Sequence, residues 1–523
     1  MSSGAAGPLP ELSAATRRRD LERATAGGLD LLVIGGGING VCVARDAAMR
    51  GLSVLVVDQA QFAGGTSSRS SKLIHGGLRY LEHLELGLVF ESLSERGRLL
   101  SLAPNLVRPL EFLMPVYEGD SHGLWTVDAG LWVYDLMSLF RKVKRHNRLD
   151  AREVLERMPG LRAEGLKGGV VYDDATTDDA CLTLAILRSA VGHGALAVSN
   201  ARVTALSLGD ARVASATLED RLTGQLHTVR AKAFVNTAGP WVDAVRRLAV
   251  PGAAPLLRPT KGTHAVFEAG RVPITRAITM RGKRDGRVVF LLPWLTYTLL
   301  GTTDTDYDGD PAEVSATPDD LAYLLETANH AFPALALTER DVLGTFSGLR
   351  PLVADETSTV PSDLSRRYSL TQDAPGLFTL TGGKLTTARR MAEDTLDEVL
   401  KGGALTAPRS CTTAEEPLLE DVPFGSLADS LAAVAGLDAT SARFLAMCYG
   451  SDARHVVALA AEHPELAERI VPEHPHLLVQ VLFGARHELL ATPREFLEHY
   501  GKGGLARHPA AGARVAGVYD RFL

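Results

Sequence analysis

A glycine-rich hexapeptide at residues 35–40 and the acidic side chain of Asp58 form the first pattern in the chain that suits a nucleotide site. Gly35 permits a tight turn, Gly37 lets a pyrophosphate approach the backbone, and Gly40 lets the next helix pack closely. Asp58 follows Gly35 by 23 residues, where a carboxylate accepts hydrogen bonds from a ribose hydroxyl. The pattern predicts a dinucleotide site made of Gly35, Gly36, Gly37, Ile38, Asn39, Gly40 and Asp58.

The elements around this turn have the order needed to hold a nucleotide. Residues 29–34 form an apolar run of strand length, residues 41–49 have the pattern of a helix, and residues 53–57 form a second apolar run. The turn therefore lies between a strand and a helix, whose N-terminus offers unpaired N–H groups and a positive dipole end to a phosphate.

Two later segments repeat the strand–glycine arrangement. Residues 231–239 predict a strand that ends in Thr237, Ala238 and Gly239, and residues 376–381 predict another, followed by Gly382, Gly383 and a helix from about Ala388. Three separated elements of this kind favour FAD over NAD and indicate an α/β, two-domain FAD-binding Rossmann flavoprotein, similar to glutathione reductase, with an inserted mixed β-sheet substrate domain. The alternative is that the later glycines only cap helices.

Six blocks in the chain resemble FAD-dependent glycerol-3-phosphate dehydrogenases, the aerobic, quinone-linked family. The first is TSSRSSKLIHGGLRYLE at residues 66–82, and the others lie at residues 236–241, 261–264, 301–304, 347–351 and 382–387. The similarity extends over roughly residues 29 to 400. It implies oxidation of sn-glycerol 3-phosphate to dihydroxyacetone phosphate by hydride transfer to FAD, with the electrons passed to a membrane quinone.

The resemblance also implies a substrate site rich in cations. A dianionic phosphate needs several positive side chains, preferably arginines with their bidentate geometry. The expected substrate contacts are Arg79, Tyr80, Thr302, Arg350, Arg366 and Lys384. Arg367, next to Arg366, is an alternative match for that position.

Oxidation of a carbinol also requires loss of the hydroxyl proton, and a histidine is the first candidate for the base. His75 and His264 are the two histidines inside the matched blocks, and the sequence does not choose between a base and a hydrogen-bonded support of the flavin for either. The candidate catalytic residues are therefore His75, His264 and Arg350. The resemblance implies further FAD contacts at Thr66, Ser67, Ser71, Lys72, Thr237, Ala238, Gly239, Gly382, Gly383, Lys384, Leu385 and Thr386.

The composition places the chain among ordinary globular proteins. It has 523 residues, 46% hydrophobic and 22% charged, and a net charge of −7, which gives no indication of a nucleic-acid partner. The four scattered cysteines have no spacing that suits zinc. The acidic run from Asp304 to Asp310 is interpreted as a solvated turn after a strand, with Asp304 packing near the substrate domain and with no metal site. No stretch is long and apolar enough for a spanning helix, so we expect a cytoplasmic protein attached peripherally to the inner face of the cell membrane.

Three regions are expected along the chain. Residues 1–28 are predicted to be a disordered N-terminal arm, residues 29–402 the FAD-dependent oxidoreductase region, and residues 403–523 a C-terminal helical domain. Within the second region, the FAD-binding segments are placed at about 29–115, 165–250 and 345–402, with substrate-domain segments between them. A homodimer is mildly favoured by the helical appendage.

Other functions are compatible with parts of the pattern. An oxidase with the same flavin chemistry would use oxygen and release hydrogen peroxide, but it would be expected to have an extra insertion in the substrate region, and none is evident. A flavin-binding protein without turnover has no use for a phosphate site. An amino-acid or hydroxy-acid oxidase would need one arginine for a carboxylate, whereas this chain offers several cations.

Overall fold

The computed structural model describes residues 8–81, 85–138, 144–354 and 367–523. The strands in these residues are β1 (Gly28–Ile34), β2 (Val54–Val57), β3 (Leu73–Ile74), β4 (Arg108–Tyr117), β5 (Asn147–Leu149), β6 (Leu166–Thr176), β7 (Leu196–Val198), β8 (Ala201–Gly209), β9 (Arg212–Asp220), β10 (Leu226–Asn236), β11 (Thr260–Glu268), β12 (Ala277–Arg281), β13 (Val288–Trp294), β14 (Tyr297–Gly301), β15 (Thr305–Asp306), β16 (Val342–Arg350), β17 (Tyr368–Ala374) and β18 (Leu377–Gly382).

The helices surround two sheets built from these strands. They are α1 (Ala14–Ala26), α2 (Ile38–Met49), α3 (Leu86–Leu102), α4 (Leu124–Met137), α5 (Ala151–Arg157), α6 (Asp179–Gly192), α7 (Val242–Ala249), α8 (Pro318–Ala331), α9 (Ala388–Lys401), α10 (Phe424–Ala435), α11 (Ala439–Tyr449), α12 (Ala453–Glu462), α13 (Leu478–His487), α14 (Pro493–Tyr500) and α15 (Ala511–Phe522).

The first sheet has a parallel centre in the order β18-β10-β1-β2-β7. Strand β17 pairs antiparallel with β18, and β8 and β9 continue from β10 as antiparallel strands. All four residues of β2 and the last four of β1 are buried, as expected for parallel strands covered on both faces. The glycine turn follows the carboxyl end of β1, the edge where ligands bind in open α/β sheets.

The second sheet is mixed and has the order β15-β11-β14-β13-β12-β4-β6-β3, with β16 on β11 and β5 on β6. Strands β4 and β12 pair parallel, whereas the other pairs, such as β4 with β6 and β11 with β16, are antiparallel. This confirms the predicted α/β fold of a dinucleotide-binding sheet combined with a mixed sheet.

The C-terminal helices cover one side of the first sheet. Buried apolar residues of α10 to α15 belong to the same hydrophobic core as those of α2, α6 and α9. The helical character of this part of the chain was predicted from its sequence, and the helices extend the core of the dinucleotide-binding part instead of enclosing a separate one.

The prediction of a disordered N-terminal arm is wrong for residues 8–28. Helix α1 begins after Ser13, whose side chain accepts a hydrogen bond from the N–H of Thr16. Its arginine Arg17 is buried and forms an ion pair of 2.7 Å with Asp220, and Leu12 forms a backbone bridge with His487. The arginine-rich composition suggested solvation, but the ion pair and the buried apolar residues of this segment anchor it. Residues 1–7 lie outside the described residues.

The expected bounds of the FAD-binding segments also differ from the observed sheets. Strand β3 and most of β4 lie inside segment 29–115, β6 inside 165–250 and most of β16 inside 345–402, yet all four belong to the second sheet. The chain crosses between the sheets more often than the motifs indicated, because strand partners are set by contacts distant in sequence.

Candidate active site

The glycine turn has the close packing that its sequence predicted. Gly35 has a φ of +107°, and a Cβ at Gly40 would lie 1.8 Å from the carbonyl oxygen of Gly35. Only glycine at position 40 allows α2 to begin this close to β1. Gly37 provides no side-chain cap to α2, and the N–H of Ile38 donates to the hydroxyl of Ser67 at 2.8 Å.

Asp58 lies beside this turn at the end of β2. Its carboxylate accepts hydrogen bonds from the N–H groups of Gly36, at 2.7 Å, and Ala60, at 2.9 Å. Burial raises the pKa of Asp58 to about 6, although both hydrogen bonds oppose the shift. The N-terminus of α2 suits a pyrophosphate, and the nearby carboxylate of Asp58 suits a ribose hydroxyl. The residues of the turn therefore fit the dinucleotide predicted for them.

The second glycine segment joins the first through hydrogen bonds, and the third is linked to the second by the parallel pairing of β18 with β10. The hydroxyl of Thr237 donates to the carbonyl oxygen of Ile34 or Gly35, each at 3.0 Å. The N–H of Ala238 donates to the Asn236 side chain at 3.2 Å. Several of the other predicted contact residues have left-handed backbones, namely Gly239, Gly382 and Gly383. Asn39 is half-buried next to the turn.

A cavity of about 480 Å³ lies between the two sheets. Its walls include the following residues predicted from the sequence: Thr66, Ser71, His75, Tyr80, His264, Thr302, Arg350, Gly383, Lys384, Leu385 and Thr386. They come from strand ends and loops far apart in the chain, and the fold brings them to one space.

Arg350, at the end of β16, is held by three acceptors. Its Nη1 donates to Asp304 Oδ1 at 3.0 Å, and its Nη2 donates to the Thr302 hydroxyl and to the Thr303 carbonyl oxygen, each at 2.9 Å. The guanidinium is thereby oriented before any ligand binds. Thr302, predicted as a substrate contact, fixes this arginine as well.

Lys384 and Tyr80 lie together on another wall. The Lys384 ammonium donates to the Ser92 hydroxyl at 3.1 Å and lies 3.7 Å from the centre of the Tyr80 ring. Both contacts help to fix the position of the ammonium on the cavity wall.

His264 is buried on β11 and stacks on Phe346, with ring centres 4.9 Å apart. Its Nε2 forms a hydrogen bond of 2.9 Å with the Ser71 hydroxyl, and its Nδ1 is buried without a partner among the described residues. Burial, together with the positive charges of Arg350 and Lys72, lowers the pKa of His264 to about 3. The ring is therefore neutral at physiological pH.

His75 also lines the cavity, on the loop after β3. The N–H of His75 donates to the Thr386 hydroxyl at 3.2 Å, which links this loop to the third glycine segment. Its side chain is half-buried, in contrast with that of His264.

Three predicted residues have a different status. The Lys72 ammonium is buried, forms an ion pair with Asp179 and donates to the Ser68 carbonyl oxygen at 2.8 Å. Its side chain therefore stabilises the loop that contains Ser68. The side chain of Arg79 and the whole of Arg366 lie outside the described residues.

The cavity also includes charged residues that the sequence did not assign to it. Asp304, expected to pack near the substrate domain, faces the cavity and forms an ion pair with Arg350, while Arg69, Arg281 and Arg287 add positive charge to the cavity walls. Arg69 lies inside the first matched block, so its position in the sequence could have indicated a place on the cavity wall. Arg281 and Arg287 lie outside every block, and no spacing pointed to them.

Comparisons with known proteins agree with this geometry. Residues 30–395 match the model of the family described as FAD dependent oxidoreductase, and residues 411–499 match that of the C-terminal domain of alpha-glycerophosphate oxidase. The glycerol-3-phosphate dehydrogenase of Synechocystis is 39% identical over 481 residues, which cover 88% of this chain and 86% of that protein. The aerobic glycerol-3-phosphate dehydrogenase of Bacillus subtilis is 36% identical over 93% of this chain and 89% of its own length.

A solved structure extends the similarity to the fold. The glycerol-3-phosphate dehydrogenase of Bacillus halodurans, in complex with FAD, superposes with a TM-score of 0.77 at 33% identity, and covers 97% of each chain. With the glycine turn and the cation-rich cavity, these matches confirm the resemblance noted in the sequence: this chain belongs to the FAD-dependent oxidoreductases, in the family of the FAD-dependent glycerol-3-phosphate dehydrogenases.

Proposed function

We propose that this chain oxidises sn-glycerol 3-phosphate to dihydroxyacetone phosphate with FAD as its cofactor, and that a membrane quinone receives the electrons. The observation that supports it most directly is the cavity in which Arg350, Lys384 and the two candidate histidines lie beside the third glycine segment. FAD, when bound, supplies the acceptor for the hydride that leaves the carbinol carbon.

The cations have the chemistry to hold the phosphate of the substrate. Arg350 presents a planar guanidinium oriented by Thr302 and Asp304, and Lys384 adds a compact point charge. A substrate held by its phosphate has its carbinol carbon at a fixed distance from the phosphate, which limits where that carbon can lie in the cavity. Glycerol, which has no phosphate, lacks this anchor.

The two histidines are suited to different tasks. A base is most effective with a pKa near the working pH, and burial lowers the pKa of His264 to about 3. His264 therefore acts as a neutral hydrogen-bonding group, held through Ser71. His75 is half-buried on the cavity wall, and we assign the acceptance of the hydroxyl proton to it.

The acceptor and the cellular location are also part of the proposal. The relatives from Synechocystis and Bacillus subtilis are both named dehydrogenases, whereas the family model of residues 411–499 takes its description from an oxidase. The helices in the described part of the chain are too short or too polar to span a bilayer. We propose that the protein attaches peripherally to the cytoplasmic face of the membrane, where it reduces the quinone. A homodimer completes the proposal, and sedimentation of the purified chain tests it.

An anaerobic titration of the purified flavoprotein with glycerol 3-phosphate tests the activity. We expect the visible flavin band to bleach with this compound and to stay unchanged with glycerol or lactate. A flavin that remains oxidised in glycerol 3-phosphate would refute the substrate assignment. Rapid reoxidation by air with stoichiometric hydrogen peroxide, and none by quinone, would replace the dehydrogenase with the oxidase.

A further inference from the structure

Helix α4 exposes its apolar face to the outside, whereas a normal surface helix buries that face. Its exposed residues are Trp125, Thr126, Ala129, Trp132, Val133 and Leu136, which recur at the spacing of one helical face. Trp125 is 73% exposed and Leu136 is 64% exposed. The described residues of this stripe include no charged side chain.

The acidic residues of α4 point away from that stripe. Asp135 is buried and accepts from His146 Nδ1 at 2.7 Å, and Asp128 lies 3.3 Å from the other ring nitrogen of His146. The helix thus turns its carboxylates toward the protein and its large apolar side chains toward the outside. Monomeric proteins rarely expose such a stripe unless it binds something.

Cations accompany the two tryptophans. The guanidinium of Arg148 lies 3.7 Å from the centre of the Trp125 ring, and that of Arg145 lies 3.7 Å from the Trp132 ring. A tryptophan paired with an arginine suits the boundary between acyl chains and headgroups, where the ring lies at the edge of the apolar layer and the cation faces the headgroups. This positive charge occurs in a chain whose net charge is −7, so it opposes the overall sign.

The neighbouring helix enlarges the apolar surface. Helix α3 contacts α4 and exposes Leu86 and Phe90, which are 48% and 49% accessible. Phe90 and Met137 line one hollow, which places Phe90 near the C-terminal end of α4. The stripe therefore continues across two helices.

We propose that the exposed stripe of α4, with Leu86 and Phe90 of α3, docks on the surface of a lipid bilayer with anionic headgroups. The inference deepens the proposed function, on which it rests for the lipid-borne acceptor. The inner face of α4 lines the active cavity through Val127 and Gly130, and Thr126 is both exposed and part of the cavity wall. Docking by this stripe brings the cavity to the lipid, where a quinone is dissolved.

Vesicle binding by the holoenzyme tests the proposal. The vesicles contain phosphatidylcholine with phosphatidylglycerol, or phosphatidylcholine alone, with or without brominated acyl chains that quench tryptophan. The chain has four tryptophans, and Trp294 is buried. We expect the protein to sediment with the anionic vesicles and its fluorescence to fall with the brominated lipid.

Two variants make the test specific. The double substitution Trp125→Ser with Trp132→Ser is expected to weaken vesicle binding about tenfold or more, since binding scales with buried apolar area. The matched control is Leu208→Ser with Leu226→Ser, which removes two equally exposed leucines from β8 and β10, and it should bind like the parent. Arg145→Ala with Arg148→Ala should remove the preference for anionic over neutral vesicles.

Three outcomes would overturn the proposal. They are a parent protein that stays in the supernatant, tryptophan variants that bind as well as the parent, and a dimer in the absence of lipid that the tryptophan substitutions dissociate. The last result would assign the stripe to a second copy of this chain. Each variant is also titrated with glycerol 3-phosphate, so an absence of flavin bleaching would count against the proposed function and leave the vesicle result interpretable by itself.

Discussion

Replacement of Arg350 by alanine is the perturbation with the best-defined consequence. The guanidinium makes three hydrogen bonds inside the cavity, and its side chain is 18% exposed. Loss of one partner from a buried charged contact costs about 2–5 kcal/mol. Because Arg350 is partly exposed, we expect about 2 to 3.5 kcal/mol, which corresponds to a fall of about 30- to 300-fold in kcat/KM for glycerol 3-phosphate.

The assay must separate substrate binding from folding, because Arg350→Ala also leaves Asp304 without its cation. Steady-state rates with a soluble dye as acceptor give kcat/KM, and the visible absorbance gives the flavin content, which should not change. Adding Asp304→Asn to Arg350→Ala should recover the thermal stability lost in the single variant while the activity stays low. The matched control is Arg258→Ala, which breaks an exposed ion pair with Asp306 outside the cavity and should change kcat/KM less than about threefold.

Two results would refute this reasoning. If Arg350→Ala loses its flavin, the arginine supports the cofactor domain and not the substrate. If the double variant recovers activity together with stability, the loss in the single variant came from the unpaired Asp304 carboxylate, and Arg350 has no direct role with the phosphate.

Three further predictions follow from local geometry. Gly40→Ala should abolish flavin retention because its Cβ would lie 1.8 Å from a carbonyl oxygen, whereas Gly97→Ala, with open space in α3, should be tolerated; absorbance of the purified variants distinguishes them. Burial lowers the pKa of His264, His476 and His499 to about 3. The unfolded chain therefore takes up protons below pH 6.5 that the folded chain does not, and each histidine should cost about 2 kcal/mol of stability at about pH 5, measured by urea unfolding; His499→Asn should reduce this pH dependence. His75→Asn should lower kcat and remove the acidic limb of the pH–rate profile with a dye acceptor, while His264→Asn should lower kcat with that limb retained.

The sequence predicted the parts of the fold that depend on neighbours in the chain. The strand, turn and helix from Gly28 to Met49 follow from a short apolar run and three glycines, and the observed bounds agree with the prediction to within a few residues. Helix α1 also had a local signal, since Ser13 caps it with Thr16 at the third helical position, although the small and polar residues of this segment and its three arginines favoured a disordered arm.

The site was predictable only where a matched block named its residues. The pairing of Arg350 with Asp304 joins residues 46 positions apart and arises because β16 and β15 both pair with β11. Periodicity within one segment cannot reveal such a contact. The outward-facing stripe of α4 shows the same limit, because its apolar spacing is visible in the sequence, whereas the direction in which it faces depends on how α4 packs against β6.

The electrostatics of the cavity connect these observations. The described residues that line the cavity include five cations, Arg69, Arg281, Arg287, Arg350 and Lys384, but two carboxylates, Asp174 and Asp304. The lowered pKa of His264 responds to this excess of positive charge, because Arg350 contributes to it after burial. In a chain of net charge −7, this local excess of cations forms a site for an anion. A cavity built for a neutral alcohol would gain nothing from them, and that is the physical argument for a phosphorylated carbinol as the substrate.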